Sequence, residues 1–339
     1  MEKISKIYKK IMSGNELSTL EAFDIFDAIF KDKLSLQETS AVLTILSFRG
    51  ETYKEILGVS KVLINRSKKI SLGKNLIDTC GTGGDNKSSF NISTATAILL
   101  AACGLNVSKH GNRSVTSKSG SIDVLEALGI KILNKNNEIK MFFKKNKICF
   151  LFAPFFHESL KKLSETRVKL KFRTIFNLLG PLLNPSKPTF QLIGVSEKKF
   201  LKTHALCLKE MDIKEGWVVT SSNGFDELTT SSTNLIMKVK NRKVSKVISL
   251  NPEELGLNKS KEVQLKGGDA KENAFLMHRL FEGETGSIRD NVILNTAACL
   301  TISGKVKSLK EGLIVARKNI DNFNAKQKLE KLISDSKTL

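Results

Sequence analysis

The stretch DTCGTGGDNKSSFNIST, Asp78–Thr94, decides how this chain is read. Three glycines (Gly81, Gly83, Gly84) and Asp85 surround Thr82. Before them, NLIDTC (Asn75–Cys80) has the pattern of a short buried strand. After them, NISTATAILLAACGL (Asn91–Leu105) has the pattern of a helix rich in small residues. Strand, glycines and helix in that order present backbone N–H groups and a helix N-terminus to an anion. Glycine lets the backbone curl with positive φ and lets an anion approach closely. The stretch is neither a GxxxxGK[ST] loop nor a GxGxxG fingerprint, because the third glycine is missing at its offset. A tight turn with no ligand also satisfies the glycines taken alone.

The neighbouring sequence extends the pattern. Asn91, Ser93 and Thr94 open the helix, where they either cap it or offer amide and hydroxyl groups to a phosphate or to Mg²⁺. LNVSKHG (Leu105–Gly111) predicts a second strand, and KHGNRSVTSKSGS (Lys109–Ser121) follows with Val115 as its one apolar side chain. SIDVLEALGI (Ser121–Ile130) predicts a second helix, and ICFLFAP (148–154), FQLIGVS (190–196) and GWVVTSS (216–222) predict further strands. Strands alternating with helices predict a mainly parallel sheet, on which polar loops after successive strands share one edge, where ligands of such folds bind. Asp226 and Glu227 in NGFDELTT follow a strand and suit a hard cation, or are simply solvated. RTIFNLLGPLLNP (173–185) predicts a helix stopped by Pro181 and Pro185. LIMKVKNRKVSKVISL (235–250) alternates as a hairpin around Asn241-Arg242, and RDNVILNTAACLTIS (289–303) is helical.

Upstream, STLE (18–21), SLQE (35–38) and TYKE (52–55) each match a capping box before a periodic apolar run. The chain is therefore expected to be α/β: a small all-helical N-terminal lobe over residues 1–72, joined by a segment near 160–185, and a large α/β lobe over 73–339.

Composition excludes several classes. The 339 residues are 40% hydrophobic and 26% charged, a globular balance. The first ten residues, MEKISKIYKK, lack the apolar run of a signal peptide, and no run of about 18 apolar residues predicts a membrane span. Five scattered cysteines without a CxxC pair fit a reducing cytoplasm better than disulfides or zinc. The net charge of +21 invites a nucleic-acid reading. The lysines, however, are spread along the whole chain, and aromatics are only 6%, few for stacking platforms. Nucleic acid is thus not the expected partner.

GTGGD, NIST, KHGNRSVTSKSGS-DVLEALG, RTIFNLLGPLLNP, DELT and GGDAKENA stand in the order, and nearly at the spacing, of the anthranilate phosphoribosyltransferases, and the chain resembles that family from the helical lobe to about Ala298. The resemblance implies transfer of a phosphoribosyl group from phosphoribosyl pyrophosphate to the amine of anthranilate, the second step of tryptophan synthesis from chorismate. It implies a fold shared with pyrimidine nucleoside phosphorylases, two Mg²⁺ per subunit, and a cytoplasmic homodimer formed through the helical lobe. Carried over by motif, Gly81, Gly84, Asp85, Ser89, Asn91, Ile92, Ser93 and Thr94 would hold phosphoribosyl pyrophosphate. Lys109, His110, Gly111, Asn112, Arg113, Ser114, Val115, Thr116, Ser117 and Ser121 would wrap its pyrophosphate and ribose. Ser93 would ligate one Mg²⁺ and Asp226 with Glu227 the other, Glu227 bridging toward the first. Gly81, Asn112 and Arg167 would hold anthranilate, Arg167 by its carboxylate. HESL (157–160) and SSTN (231–234) depart from the family pattern near the substrate path and after the metal carboxylates. No residue is expected to act as an acid or base. His110 and His157 are candidates to shape the site, and His204 and His278 are structural or exposed. The rival readings are a nucleoside phosphorylase and a nucleic-acid-binding relative without the chemistry.

Overall fold

The computed structural model describes residues 2–114 and 118–339. Four helices open the chain: α1 (Glu2–Met12), α2 (Thr19–Phe30), α3 (Leu36–Arg49) and α4 (Tyr53–Arg66). The three expected capping boxes are all formed. Ser18, Ser35 and Thr52 accept from the N–H of Glu21, Glu38 and Glu55, and each glutamate carboxylate accepts the cap residue's own N–H. These reciprocal bonds satisfy donors that a helix start leaves orphaned.

The α/β part then runs β1 (Leu76–Asp78), α5 (Ile92–Ala102), β2 (Asn106–Gly111), α6 (Ser121–Ala127), α7 (Asn136–Asn146) and β3 (Ile148–Phe152). Short helices α8 (Ala153–Phe156), α9 (Ser164–Leu170) and α10 (Phe176–Leu179) lead to β4 (Phe190–Gly194), α11 (Lys199–Glu210) and β5 (Glu215–Ser221). An antiparallel edge follows, β6 (Asn234–Lys240), β7 (Lys243–Val244) and β8 (Ile248–Leu250), and then α12 (Ala270–Phe281), α13 (Ser287–Ile302), α14 (Leu309–Asp321) and α15 (Asn324–Lys337).

The strand order is β3-β2-β1-β4-β5-β6-β7, parallel from β3 to β5, with β6 antiparallel to β5 and β8 also paired to β6. The chain leaves β1 in one direction for β2 and β3 and returns on its other side for β4 and β5. The crevice between β1 and β4 is therefore the switch point where open α/β sheets bind ligands.

Side-chain alternation divides the core. Leu192, Trp217, Val219 and Ile236 join the cluster under α5 and α13. Ile193, Val218, Met237 and Val239 on the opposite face join the cluster built from α1–α4 and from Leu163, Ile175–Leu183 and α11. The helical lobe thus packs on one face of β4–β6.

One expectation changes in extent. The 173–185 stretch is not one helix: α10 spans four residues and a 3₁₀ turn covers Gly180–Leu182. Past the 3₁₀ turn the chain turns again, and Asn184 and Ser186 bond inward to Asp78 and Ser108. The hairpin turn is at Asn241-Arg242, both with positive φ (48° and 60°), as a type I′ turn requires.

Candidate active site

The site is built where the ends of β1, β4 and β5 meet. A Cβ on Gly194 would lie 1.4 Å from the carbonyl oxygen of Asp226, so only glycine lets these two backbones touch. Thr82 N–H donates to Gly194 O at 2.9 Å and Gly83 N–H to Asp226 Oδ2 at 2.7 Å. Gly83 and Gly84 have φ of 66° and 77°, and Asn86 continues the left-handed curl at 56°. The loop's far end is fastened behind: Ser89 bridges Lys266, Gly267 N–H donates to Ser88 O, and Asn91 N–H donates to Asn273 Oδ1 at 2.9 Å. Asn273 also donates to Ser119 Oγ at 3.0 Å, so one buried amide ties the glycine loop to the polar loop after β2. Composition gave no reason to single out Asn273; only its place in the GGDAKENA motif did.

α5 starts against the acids. Ser93 N–H donates to Glu227 Oε1 at 3.1 Å, Lys109 Nζ donates to Ser93 Oγ at 3.2 Å, and Thr79 Oγ donates to Ser93 O. Gly81, Gly84, Asp85, Ser89, Asn91, Ile92, Ser93, Thr94, Lys109, Asp226 and Glu227 are therefore joined in one bonded assembly or flank it directly. Asn91 makes no capping bond, and its buried Oδ1 has no partner.

Buried oxygens Asp85 Oδ2 and Glu227 Oε2 have no hydrogen-bond partner. Burial, then repulsion from Asp85, pushes Asp226 up to about 7 despite the Gly83 N–H. Burial first, and Asp226 and Asp85 next, raise Glu227 well above the carboxylate range, and burial raises Asp85. Oxygen atoms of this kind fit a hard divalent ion, whose charge would let all three acids ionise. Among the described residues no group of three or more Asp, Glu, His or Cys is placed to hold a metal ion by side chains alone. Mg²⁺ matches such an open set, because it keeps waters and substrate oxygens as ligands.

The loop after β2 is organised from α6. Asp123 Oδ2 accepts from Ser114 N–H (2.9 Å) and Gly120 N–H (2.8 Å), and Ser121 Oγ donates to Asn112 O at 3.3 Å. A Cβ on Gly120 would meet Ser114 N at 2.4 Å, which makes glycine necessary there. Arg113 is turned outward: its guanidinium grips Glu126 at 2.5 and 2.6 Å and lies near Asp123. Val115, Thr116 and Ser117 lie outside the described residues.

His110 is held beneath the surface. Its Nδ1–H donates to Gly180 O at 3.1 Å, its backbone N–H donates to Asp78, and burial pulls it down to about 3. His157 Nε2–H donates to Leu183 O at 2.8 Å, and the two rings meet edge to face at 5.5 Å. Both are neutral structural imidazoles at pH 7, as is the buried His204; His278 is exposed on α12. Asp78, Asn184, Ser108 and Ser186 form a buried polar network below β1 and β2. Burial pushes Asp78 up to about 6.

Arg167 is half-buried on α9 with its guanidinium over the Phe176 ring at 5.4 Å. It makes no ion pair among the described residues, and burial lowers its pKa. An unpaired half-buried guanidinium is suited to a planar carboxylate.

The fold and this site define a class. Residues 73–326 match the a/b domain of the glycosyl transferase family, and residues 5–67 match that family's helical bundle domain. An anthranilate phosphoribosyltransferase of Petrotoga mobilis is 42% identical over 96% of this chain and 94% of its own. One from Acetivibrio thermocellus is 41% identical over 97% and 96%. The crystal structure of anthranilate phosphoribosyltransferase from Thermus thermophilus superimposes with a TM-score of 0.91 at 34% identity, covering 98% of this chain and 99% of that one. The Saccharomyces cerevisiae enzyme in complex with PRPP and Mg gives 0.91 at 27% identity, covering 99% and 98%. The chain belongs to the anthranilate phosphoribosyltransferases of this glycosyl transferase family.

Proposed function

We propose that the protein joins the amine of anthranilate to C1 of phosphoribosyl pyrophosphate and releases pyrophosphate, in tryptophan biosynthesis. The observation that carries this reading is the junction of Gly83 N–H, the α5 N-terminus and Lys109 with acids whose buried oxygens lack partners. Such a place favours an anion that arrives with its own divalent cation. The yeast relative bound to PRPP and Mg supports it.

Each group has a physical task. Loop N–H groups and Lys109 stabilise charge moving onto the leaving pyrophosphate. Asp226 and Glu227 would hold one Mg²⁺ and Ser93 a second, with Glu227 bridging; bound Mg²⁺ supplies positive charge to the polyphosphate. Arg167 holds the anthranilate carboxylate and aims the amine, which is neutral at pH 7 and needs no strong base. Arg113 leaves Glu126 if it is to reach pyrophosphate.

The helical lobe ends near residue 72, a boundary supported by the two family matches on either side. The lobe forms a homodimer. Phe48 (93% exposed) and Leu36 on α3 and Val168 on the adjacent α9 expose apolar surface that a second copy would cover. The compartment is the cytoplasm, supported by five free cysteines. No helix among the described residues is long and apolar enough to cross a membrane.

Loss of anthranilate fluorescence with phosphoribosyl pyrophosphate and Mg²⁺ tests the reading. Arg167→Ala is expected to raise KM for anthranilate roughly 10- to 100-fold, as a charged hydrogen bond predicts, and to leave KM for the other substrate within a factor of about two. The Asp226→Ala/Glu227→Ala protein is expected to lose Mg²⁺-dependent turnover. A wild-type protein that consumes no anthranilate at any concentration overturns the assignment.

A further inference from the structure

Arg173, six residues beyond Arg167, joins more of the molecule than any role above explains. Its carbonyl oxygen accepts from Ser47 Oγ of α3 at 2.6 Å. Its guanidinium stacks over Phe200, with Cζ 4.8 Å from the ring centre. Nη1 donates to Ser196 Oγ at 3.0 Å and reaches Glu197 Oε1 at 3.4 Å. Both residues follow β4, two and three positions beyond Gly194, whose backbone touches Asp226. Arg173 therefore spans the helical lobe, the Arg167 segment and the end of the sheet where the acids sit.

One edge of this guanidinium is unused. Nε and Nη2 are buried and have no hydrogen-bond partner. That pair of N–H groups is the edge that takes a carboxylate with two parallel bonds. Four positions beyond Ser47, whose hydroxyl is bonded to the Arg173 carbonyl, stands an acid without an ion pair. Glu51, in the turn between α3 and α4, is half-buried, and its carboxylate forms no side-chain hydrogen bond among the described residues beyond its own backbone N–H. Burial raises Glu51, and Arg173 is the side chain that draws it down most. Glu51 in turn is among the acids acting on Arg173, with Glu197 and Asp226.

We propose that Glu51 and the Nε–Nη2 edge of Arg173 pair in the substrate-loaded enzyme, fastening the helical lobe to the end of β4, so that Arg173 is a positioning residue for the acid pair Asp226-Glu227. The cation is already anchored through Ser196 and Phe200, so pairing needs movement only of the helical lobe that carries Glu51. The proposal rests on the transferase reading, and wild-type turnover is its control.

The test is a double-mutant cycle on the full chain, read as kcat and KM for each substrate beside the thermal midpoint. Glu51→Gln and Arg173→Lys are each expected to lower kcat about tenfold, the size of a typical coupling between paired groups, with the midpoint of Glu51→Gln unchanged. The double variant is expected to be no slower than the slower single variant. Glu51→Asp, an acid one methylene short, is expected to keep part of the rate. Losses that multiply in the double variant, or Glu51→Gln turning over at the wild-type rate, overturn the pairing. If Arg173→Lys lowers the midpoint, Glu51→Gln decides alone, because that carboxamide removes no side-chain contact present in the unloaded protein. Absence of wild-type turnover would instead remove the functional reading itself.

Discussion

At the scale of single residues, the tightest constraint is Gly194. Its φ is not in the left-handed region, so the demand is for space alone. Alanine would drive its methyl into the Asp226 carbonyl at 1.4 Å, whereas Gly81→Ala would meet the Asp226 side chain at 2.9 Å and Gly194 O at 3.2 Å. Overpacking typically costs about 1–3 kcal/mol, and a backbone obstacle that cannot rotate away lies at or above the top of that range. Gly194→Ala is therefore expected to lose about 3 kcal/mol or more in urea unfolding and to lose turnover. Gly81→Ala is expected to lose turnover with a smaller stability cost. Equal unfolding midpoints for the two variants would contradict this geometry. The glycine loop and the DELT acids were legible in sequence because each is a short run whose chemistry is local. The Gly194–Asp226 contact was not, since it joins positions 32 apart in the chain and nothing in IGVS marks one glycine as the point of touch.

At the scale of elements, three identical motifs show what a pattern reveals and what it hides. Ser18-Glu21, Ser35-Glu38 and Thr52-Glu55 all cap their helices. Glu38 is partly exposed and bonds only within its own turn. Glu55 is fully buried and also accepts from Leu17 N–H at 2.9 Å and from Arg49 Nη2 at 2.5 Å. Glu38→Ala is expected to cost about 1 kcal/mol, the ordinary worth of a cap. Glu55→Ala strands a half-buried arginine and a backbone donor, and is expected to cost about 3–5 kcal/mol. Chemical denaturation of the two variants measures the difference, and equal costs would mean that the Arg49 pair adds nothing. Helix starts were readable because caps obey a four-residue rule, while burial of one glutamate depends on how α1, α3 and α4 assemble. The same limit explains residues 173–185: apolar periodicity suggested a helix, but Asn184 turns inward to Asp78, 106 positions away, and the chain leaves the helix through a 3₁₀ turn.

At the scale of the whole molecule, the helical lobe and the sheet share a core, and the apolar surface left over lies on α3 and α9. Phe48→Glu should convert a dimer to a monomer in light scattering without moving the thermal midpoint of the subunit by more than a few degrees; a protein already monomeric at micromolar concentration would remove the dimer proposal. The shared interior also holds two opposed sets of titrating groups. His110, His157 and His204 are kept neutral by burial, His110 down to about 3. Unfolded imidazole gains its proton below about 6.5, so these histidines cost stability as pH falls from there, for His110 about 2 kcal/mol by pH 5. Asp78 acts in the other direction. Its folded value of about 6 lies above that of an unfolded aspartate, so folding binds a proton and stability rises as pH falls through 6. The site acids raised by burial add to that side. The two sets offset each other, and the profile of the unloaded protein should be shallow between pH 5 and 7. Asp78→Asn removes one acid from the balance. Its stability relative to the wild type should therefore worsen by about 1 kcal/mol on going from pH 7 to pH 5, with most of the change below pH 6. Urea titrations of both proteins across that range measure the difference directly, and a gap that does not vary with pH would mean that Asp78 is ionised in the fold and that Lys109 outweighs its burial.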